Sequence, residues 1–362
     1  MTRAHLHTPL CDLLGIRVPI LLAGMANGPG TPELVAAVTG AGGLGVFGAS
    51  GMTCAALERA MARVRELVPD GPFGVNAQLA EPSPATGERD RILAVLAPFR
   101  RELGLPEEPP EPTRPDPPAA LIECALARGA TVVTTFDDPA PVAAATHAAG
   151  ARLLPMVTRV DEARRALACG ADGVIVQGSE AGGHRGTFGG GEARGGGLIA
   201  LVPQVADAVG PGIPVAASGG IMDGRGIAAA LALGAQGVSL GTCFLGSAES
   251  GAADAYAEAL PDTPADRTGV TDLITGRPAR WIRNRLVDAL VEANPGTLGW
   301  GRQAPLVADI RRAAAEQGRT DILPMLAGEG AAMSAGRRPA AEIVARLVRE
   351  TESALAGLAA LA

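Results

Sequence analysis

The amino-acid sequence predicts an α/β protein, a (β/α)8 TIM barrel with a C-terminal helical cap or extension. Eight short apolar segments alternate with helical segments, which is the repeating unit of such a barrel. Glycine or polar residues follow several of these segments, at the strand ends where barrels place their active sites. Beyond Cys243 the alternation stops and helical patterns remain. A doubly wound parallel sheet is the alternative architecture, and the count of eight favours the barrel.

The predicted strands are short, apolar and rich in β-branched residues, as strands buried on both faces are. They span residues 18–23, 42–47, 73–79, 131–136, 152–157, 173–177, 213–217 and 236–240. The helices predicted within the barrel span residues 31–38, 53–68, 121–128, 140–149, 161–169, 201–209 and 226–233. Thr31 and Thr53 stand where their hydroxyls can cap the first two helices, and Pro32 suits a first helical turn.

One long interruption separates the third and fourth strands. Residues 81–118 are rich in Pro, Glu and Arg, and residues 92–103 within them have a helical pattern. The run from Glu107 to Pro112 excludes a regular helix or a central strand, because proline lacks the backbone N–H that both require. We therefore expect a Pro-rich insertion in a barrel that otherwise spans residues 1–247.

The last third of the chain is expected to be helical. The predicted helices span residues 252–259, 279–292, 306–315 and 340–361. Tyr256, Trp281 and Trp300 lie here, in a chain that is only 2% aromatic. We therefore expect residues 248–302 to form a helical cap near the substrate pocket and residues 303–362 to pack back on the barrel. Helical decoration without a capping role is the alternative.

The composition narrows the classes of function. A net charge of −7 argues against nucleic acid or an anionic membrane surface as the main partner. The 31 basic residues are all arginine, and Schiff-base chemistry is excluded because it needs a lysine amine. No apolar run approaches the roughly 18 residues of a membrane span. The first residues lack the apolar core of a signal peptide, so we expect a cytoplasmic protein.

Five cysteines are scattered along the chain without CxxC spacing. They are Cys11, Cys54, Cys124, Cys169 and Cys243. This pattern predicts neither a disulfide framework nor a metal site. We expect reduced thiols that serve mainly as small buried apolar side chains.

The run Gln177-Gly178-Ser179-Glu180-Ala181-Gly182-Gly183-His184-Arg185-Gly186 follows the sixth predicted strand. Its glycines allow the backbone to approach a ligand closely. His184 is a side chain that can exchange a proton near neutral pH. The run therefore predicts a site where a cofactor lies against the backbone and His184 faces a reacting atom. A flexible loop with an incidental surface histidine is the alternative.

A second glycine-rich group follows the seventh and eighth strands. Ser218-Gly219-Gly220 ends the seventh, and Gly241-Thr242 follows the eighth. Barrels commonly bind phosphate with the backbone N–H groups of these two loops, near a short helix N-terminus. A phosphate here, with a pocket over the strand ends, indicates FMN. Tight turns without a ligand are the alternative. A dinucleotide fingerprint is not indicated, since Gly40–Gly43 precedes a strand instead of linking a strand to a helix.

The chain resembles the nitronate monooxygenases, which are FMN-containing barrels. The resemblance covers nearly the whole chain and is most specific in the Gln-Gly-x-Glu-Ala-Gly-Gly-His run, which related enoyl-acyl-carrier-protein reductases share. The segments that carry it are Pro19–Met25, Gly42–Phe47, Phe73–Asn76, Gly170–Gly186, Leu201–Val205, Pro214–Gly224, Leu240–Leu245, Ile282–Arg285 and Ala327–Ala331. The chain differs from the best-studied nitronate monooxygenase class in having no lysine and a single tyrosine.

The resemblance implies FMN as the cofactor, lying on the strand ends. His184 would be the catalytic base, and Glu180 a structural hydrogen-bonding residue. An alkyl nitronate and O2 would be converted to a carbonyl compound and nitrite. No metal is implied. The residues expected to contact FMN are Gly24, Met25, Asn76, Gln177, Gly182, Gly183, Ser218, Gly219, Gly220, Ser239, Leu240, Gly241 and Thr242.

Two other functions stay open on the sequence. One is an FMN-dependent reductase of a carrier-bound enoyl group that uses NAD(P)H. The other is an FMN-binding barrel that has no catalytic activity and serves in an assembly. The sequence does not distinguish a monomer from a homodimer. His5, His7 and His147 are expected to be surface residues.

Overall fold

Eight parallel strands form a closed barrel in chain order. The computed structural model describes residues 6–80, 83–111, 114–188 and 195–361, so His5 lies outside the described part. The strands of the described residues are β1 (Ile20–Leu22), β2 (Gly45–Gly48), β3 (Phe73–Ala77), β4 (Val132–Thr135), β5 (Arg152–Leu153), β6 (Met156–Val157), β7 (Val174–Gln177), β8 (Gly183–His184), β9 (Val215–Ser218), β10 (Gly237–Leu240), β11 (Thr268–Thr271) and β12 (Ala279–Ile282). Of these, β8, β11 and β12 form a separate sheet outside the barrel.

Closure of the barrel follows from the pairing of its strands. β2, β3, β4 and β5 pair in sequence, and β6, β7, β9, β10 and β1 continue the order. β5 and β6 are two parts of one barrel strand, interrupted at Leu154-Pro155. The Leu22 amide donates to the Leu44 carbonyl at 2.8 Å, which joins β1 to the β2 side. The predicted TIM barrel is confirmed, and each of its eight predicted strands is present.

The helices flank the strands as the sequence pattern predicts. Thr31 and Thr53 accept hydrogen bonds from the amides of Leu34 and Ala56, so both predicted N-caps are present. The helices are α1 (Pro9–Leu14), α2 (Pro32–Gly40), α3 (Cys54–Leu67), α4 (Arg89–Glu102), α5 (Pro118–Ala127), α6 (Ala140–Ala148), α7 (Val160–Ala168), α8 (Leu198–Val209), α9 (Gly224–Ala232), α10 (Thr242–Leu245), α11 (Asp254–Ala259), α12 (Arg285–Ala293), α13 (Pro305–Glu316) and α14 (Ala340–Ala359).

Alternation along the strands divides the barrel core into two layers. Val238 and Leu240 of β10 face the outer helices, whereas Leu21 of β1 belongs to the interior cluster. Leu10 and Leu14 of α1 are also part of that interior cluster. Side chains therefore fill the barrel from within, and α14 packs on the outside against α2 and α9.

The insertion packs against the C-terminal region instead of the barrel wall. Ile92, Leu96 and Phe99 of α4 share a hydrophobic cluster with residues of α11, α12 and α13. The predicted helix at 92–103 is confirmed within α4. Residues 81–82 and 112–113 of the insertion lie outside the described residues.

The helix predicted for residues 279–292 is wrong in its first part. Residues 279–282 form β12, which pairs antiparallel with β11 and with β8. Helix α12 begins only at Arg285, where the Asn284 side chain accepts a hydrogen bond from the Val287 amide. The region expected to be a helical cap therefore also contributes two strands, β11 and β12, to a three-stranded sheet completed by β8. Among the described residues, no helix has both the length and the apolar character to span a bilayer.

We expect Asp309→Ala to destabilise the fold by ~3–5 kcal/mol, because it leaves a buried charge unpaired. The Arg100 guanidinium donates to both carboxylate oxygens of Asp309, at 3.0 and 2.7 Å, and both side chains are almost fully buried. Urea unfolding measures the change. The double variant Arg100→Met with Asp309→Leu should recover most of the loss, since no charge then remains buried. Equal instability of both proteins would contradict this account.

Candidate active site

The residues singled out in the sequence lie at the carboxyl ends of the barrel strands. Gly24 and Met25 follow β1, Asn76 lies in β3, and Gln177 ends β7. The remaining ones are Gly182, Gly183 and His184 after β7, Ser218, Gly219 and Gly220 at the end of β9, and Ser239, Leu240, Gly241 and Thr242 at the end of β10. Because successive side chains of β10 point to opposite faces, Ser239 and Leu240 lie in different layers. Ser239 lines a cavity inside the barrel, whereas the Leu240 side chain packs in the outer layer.

Backbone pairing fixes the position of His184. His184 lies opposite Ala279 and Gly183 opposite Arg280, in antiparallel register between β8 and β12. Gly183 has φ +81°, a conformation that favours glycine. The Gln177 side chain donates to the His184 carbonyl at 2.9 Å and accepts from the amide of Gly186 at 2.9 Å. Gln177 thus links the end of a barrel strand to the histidine loop.

The imidazole of His184 is surrounded by residues from the C-terminal region. Its Nε2 lies 2.9 Å from the hydroxyl oxygen of Thr275. The rings of Trp281 and Trp300 approach it edge-on, with centroids at 6.4 and 5.2 Å. Trp281 is buried, whereas Trp300 is half-buried, so Trp300 is the more accessible of the two tryptophans that contact the imidazole.

A buried ion pair lies next to the imidazole. Arg277 and Asp137 approach to 2.8 Å, and the Arg277 guanidinium also donates to the Phe136, Arg185 and Thr187 carbonyls. Burial, and to a lesser extent the positive charge of Arg277, lower the pKa of His184 to about 3. His184 is therefore a neutral imidazole near pH 7, able to accept a proton but weakly basic. Its pKa lies well below the near-neutral value expected of a free histidine.

A small cavity of about 10 Å³ lies inside the barrel near the strand ends. The Asn76 amide donates to the Thr134 hydroxyl at 2.8 Å, which fixes the amide side chain. A Cβ at Gly24 would lie 2.3 Å from the Cβ of Asn76, so only glycine fits there. Other residues that line the cavity are Leu21, Leu22, Ala23, Val46, Phe136, Met156, Ile175 and Ser239.

The loops after β9 and β10 form a corner made largely of backbone. Gly219 and Gly220 have φ values of +128° and +66°. Within the described residues, their amides donate no hydrogen bond to another residue and are free to bind an anion. The Thr242 hydroxyl accepts from the Gly328 amide at 3.0 Å. A Cβ at Gly182 would lie 2.4 Å from the nitrogen of Gly328, so the C-terminal segment closes tightly over this corner.

Several neighbours of the site were not singled out as site residues by the sequence. Thr275 and Arg277 lie in a turn without a hydrophobic period, and Gly328 is about 150 residues from the histidine run. The scarcity of tryptophan was a usable signal for Trp281 and Trp300, which the sequence placed in the cap but not beside His184. The carboxylate of Glu180 accepts from the Leu198 amide at 2.9 Å, a structural contact at the start of α8. His7 and His147 are partly exposed and lie next to Asp12 and Asp172.

The titratable residues of the described ranges form no group of three or more His, Cys, Asp or Glu that could hold a metal ion. The five cysteines are free thiols, and Cys11 and Cys243 are buried. Burial raises the pKa of the Cys243 thiol to about 12. This thiol is therefore protonated at neutral pH and is a poor nucleophile.

The fold and this arrangement define a class of protein, a barrel enzyme with its ligand site at the carboxyl ends of the strands. Residues 7–350 match the nitronate monooxygenase family. A probable nitronate monooxygenase of Staphylococcus aureus is 36% identical over 346 residues, covering 94% of this chain and 96% of the relative. A nitroalkane oxidase from Streptomyces ansochromogenes has a similar solved structure, with a TM-score of 0.86 and 37% identity over 96% of this chain and 99% of that one.

FabK from Thermotoga maritima is also similar, with a TM-score of 0.77 and 30% identity over 99% of this chain and 100% of that one. The chain belongs to the nitronate monooxygenase family. It is an oxidoreductase of the flavoenzyme kind.

We expect the His184 imidazole to stay neutral throughout pH 5–8. Since its folded-state pKa of about 3 lies below the unfolded value near 6.5, the unfolded chain binds the additional proton first. The contribution of His184 to stability is therefore complete above about pH 6.5 and is lost as the pH falls toward 3. NMR of the imidazole nitrogens measures this, with His184→Asn identifying the signal. A His184 signal that titrates near pH 6.5 would contradict the geometry described.

Proposed function

We propose that the protein oxidises small alkyl nitronates with O2 to a carbonyl compound and nitrite, with FMN as cofactor and His184 as the catalytic base. The observation that carries the proposal is the position of the His184 imidazole at the strand ends, with its Nε2 2.9 Å from the Thr275 hydroxyl and the Trp300 ring beside it. Membership of the family and the likeness to a nitroalkane oxidase support the substrate class.

The residues at the strand ends fit FMN. The amides of Gly219 and Gly220 and the first turn of α10 at Thr242 would hold the phosphate, since the N–H groups there have no acceptor among the residues that the structure describes. Asn76 and Gln177 would face the ring and the ribityl chain, as would the backbone near Gly24, Met25, Gly182, Gly183, Ser218, Ser239, Leu240 and Gly241. When bound, FMN would supply the electron acceptor for the substrate and the route by which electrons reach O2.

Thr275 gives His184 a defined role as a proton acceptor. The Thr275 hydroxyl can donate to the Arg277 carbonyl at 3.3 Å, which leaves its oxygen to accept from Nε2–H of His184 at 2.9 Å. This network favours the tautomer with the proton on Nε2 and leaves the lone pair on Nδ1. Nδ1 of His184 would then take the acidic C–H proton of a neutral nitroalkane. A pre-formed nitronate has already lost that proton and would not need this step.

The low pKa of His184 is compatible with this role once the substrate is considered. Removing a proton from a neutral nitroalkane leaves an anionic nitronate next to the imidazolium that forms. The opposite charges attract, which raises the pKa of the histidine during the step and offsets the effects of burial and Arg277. His184 is thus least basic when the pocket holds no anion.

A second candidate function is the NAD(P)H-dependent reduction of a carrier-bound enoyl group with FMN. The likeness to FabK over the full length of both chains favours it. The absorption spectrum of the flavin, recorded without oxygen, separates the two candidates. A nitronate should bleach the flavin quickly and NADH slowly if the first proposal is correct. Rapid bleaching by NADH with no response to a nitronate would replace it with the reductase.

Gly220→Asp should purify without flavin, because it places a carboxylate against the proposed phosphate position. The matched control is Gly318→Asp, since Gly318 has nearly the same φ, +64° against +66°, and open space around its Cβ. Both substitutions impose a similar backbone strain, but only Gly220 lies at the corner, where a Cβ would also lie 3.2 Å from the Cβ of Glu180. Flavin content per protein, measured by absorbance after release, is the readout. Stoichiometric flavin in folded Gly220→Asp would show that the phosphate lies elsewhere.

His184→Asn should lower turnover of a neutral nitroalkane by ~10²–10⁴-fold, the usual cost of losing a positioned base. Turnover of the matching pre-formed nitronate should fall much less. His147→Asn is the control, because His147 is exposed and remote from the strand ends. All three proteins are assayed with flavin bound. Equal small losses on both substrates would remove His184 from the base role, and equal large losses would assign it to substrate binding.

A further inference from the structure

Both tryptophans of the chain contact the ring of His184, and of the two Trp300 is half-buried whereas Trp281 is buried. We propose that Trp300 limits the size of the substrate beside His184, and that a loop of the insertion holds it there. The substrates are then nitronates with short, unbranched alkyl groups. The identity of the substrate's charged group rests on the proposed function. The limit on the size of the substrate's alkyl group rests on the packing of three loops.

The first loop contact joins the insertion to the segment that carries Trp300. The amides of Thr86 and Gly87 donate to the Thr297 carbonyl at 2.7 and 3.0 Å. The Thr297 amide donates back to the Thr86 hydroxyl at 3.1 Å. The Trp300 amide itself donates to the Ser83 hydroxyl at 2.7 Å. Residues 83–87 therefore determine where the backbone of Trp300 lies.

Glycines allow these backbones to touch. A Cβ at Gly87 would lie 2.3 Å from the Pro295 carbonyl oxygen, and a Cβ at Gly296 would lie 2.6 Å from the Thr86 carbonyl oxygen. Each distance is too short for any real side chain, and the neighbour in each case is main chain. At both positions, any residue other than glycine would require the Trp300 segment to shift.

The opposite face of the Trp300 segment is packed in the same way against the loop that carries Thr275. A Cβ at Gly276 would lie 2.2 Å from the carbonyl carbon of Gly299. The buried Gln303 side chain donates to the Leu273 carbonyl and accepts from the Leu298 amide, at 2.8 and 3.0 Å. Residues 83–87, 272–278 and 295–300 thus form one stack, here called the three-loop wall.

The three-loop wall leaves the Trp300 ring little freedom to move away from a ligand. The ring centroid lies 5.2 Å from that of His184, and the Arg277 guanidinium lies 5.9 Å from the Trp300 centroid. An alkyl group that extends from a nitronate carbon at His184 toward Trp300 therefore meets a fixed indole. A fixed apolar wall discriminates by ~10-fold or more for each methylene that does not fit.

The test compares flavin-replete wild type and Trp300→Ala on the nitronates of nitroethane, nitrobutane and nitrohexane. We expect the ratio of kcat/KM for the hexyl over the ethyl nitronate to rise at least ~10-fold in Trp300→Ala. Ile199→Ala is the matched control, because Ile199 is a large apolar side chain that is 71% exposed and lies outside the wall. It should leave the ratio unchanged. A ratio in Trp300→Ala within about twofold of wild type would overturn the inference.

Intrinsic fluorescence gives a second readout that needs no turnover. Carboxylates share the planar, anionic shape of nitronates, and each tryptophan reports on the pocket because both contact His184. Acetate should quench the emission of wild type and hexanoate should not, whereas both should quench Trp300→Ala through Trp281. If the wild-type protein oxidises no nitronate but its fluorescence is quenched by acetate and not by hexanoate, the proposed function is refuted and the wall is supported. Equal quenching by both carboxylates in wild type, or none by acetate, would overturn the wall.

Gly87→Ala tests whether the insertion positions Trp300, and it also serves if Trp300→Ala fails to fold. The new methyl group would meet the backbone of Pro295 and Gly296 and must displace the segment 295–300, which carries Trp300. We expect kcat on the ethyl nitronate to be nearly retained and the hexyl-to-ethyl ratio to shift in the same direction as in Trp300→Ala. A lower melting temperature with an unchanged ratio would show that residues 83–87 are structural only.

Discussion

The site depends on two antiparallel residue pairs, His184 with Ala279 and Gly183 with Arg280. They join a loop of the barrel to the sheet formed by the C-terminal region. The Arg280 guanidinium reinforces the junction by donating to the Ser179 carbonyl at 2.9 Å. His184 itself belongs to the barrel loop, but the groups that surround its ring, Thr275 and both tryptophans, come from the other side of the junction. Without this pairing the histidine would be an ordinary loop residue at a strand end.

The insertion after β3 is a third part of the chain on which the surroundings of His184 depend. Its helix α4 packs in the hydrophobic cluster of the C-terminal region, and the buried pair of Arg100 and Asp309 fixes that packing. A buried ion pair adds little net stability compared with apolar residues, but it strongly penalises any arrangement in which one partner is missing. The pair joins α4 to α13, and residues 83–87, which precede α4, contact the segment that carries Trp300.

Local signals in the sequence were sufficient for the barrel but not for the surroundings of His184. Each barrel strand is a short run bounded by glycine or proline, and Thr31 and Thr53 mark helix starts by their own chemistry. By contrast, the residues 279–282 were predicted to be helical because they precede a true amphipathic helix, and Asn284 was overlooked as its N-cap. Their strand conformation is imposed by pairing with β8, almost 100 residues earlier. Thr275, Arg277 and Gly328 carry no periodic signal, and only the fold brings them to the site.

The environment of His184 has a consequence for the kind of substrate that the pocket favours. Burial and Arg277 both disfavour a positive charge on the imidazole, whereas Asp137 is engaged with Arg277 and with the amides of Leu79 and Ala80. The site around the ring therefore has no carboxylate in contact to stabilise an imidazolium within the described residues. An anion that enters the pocket supplies that missing charge. A substrate that becomes anionic by giving its proton to His184 is thus stabilised next to the imidazolium that forms, and a neutral substrate that stays neutral gains nothing from it. The proposed transfer of a proton from a neutral nitroalkane to His184 meets this electrostatic condition.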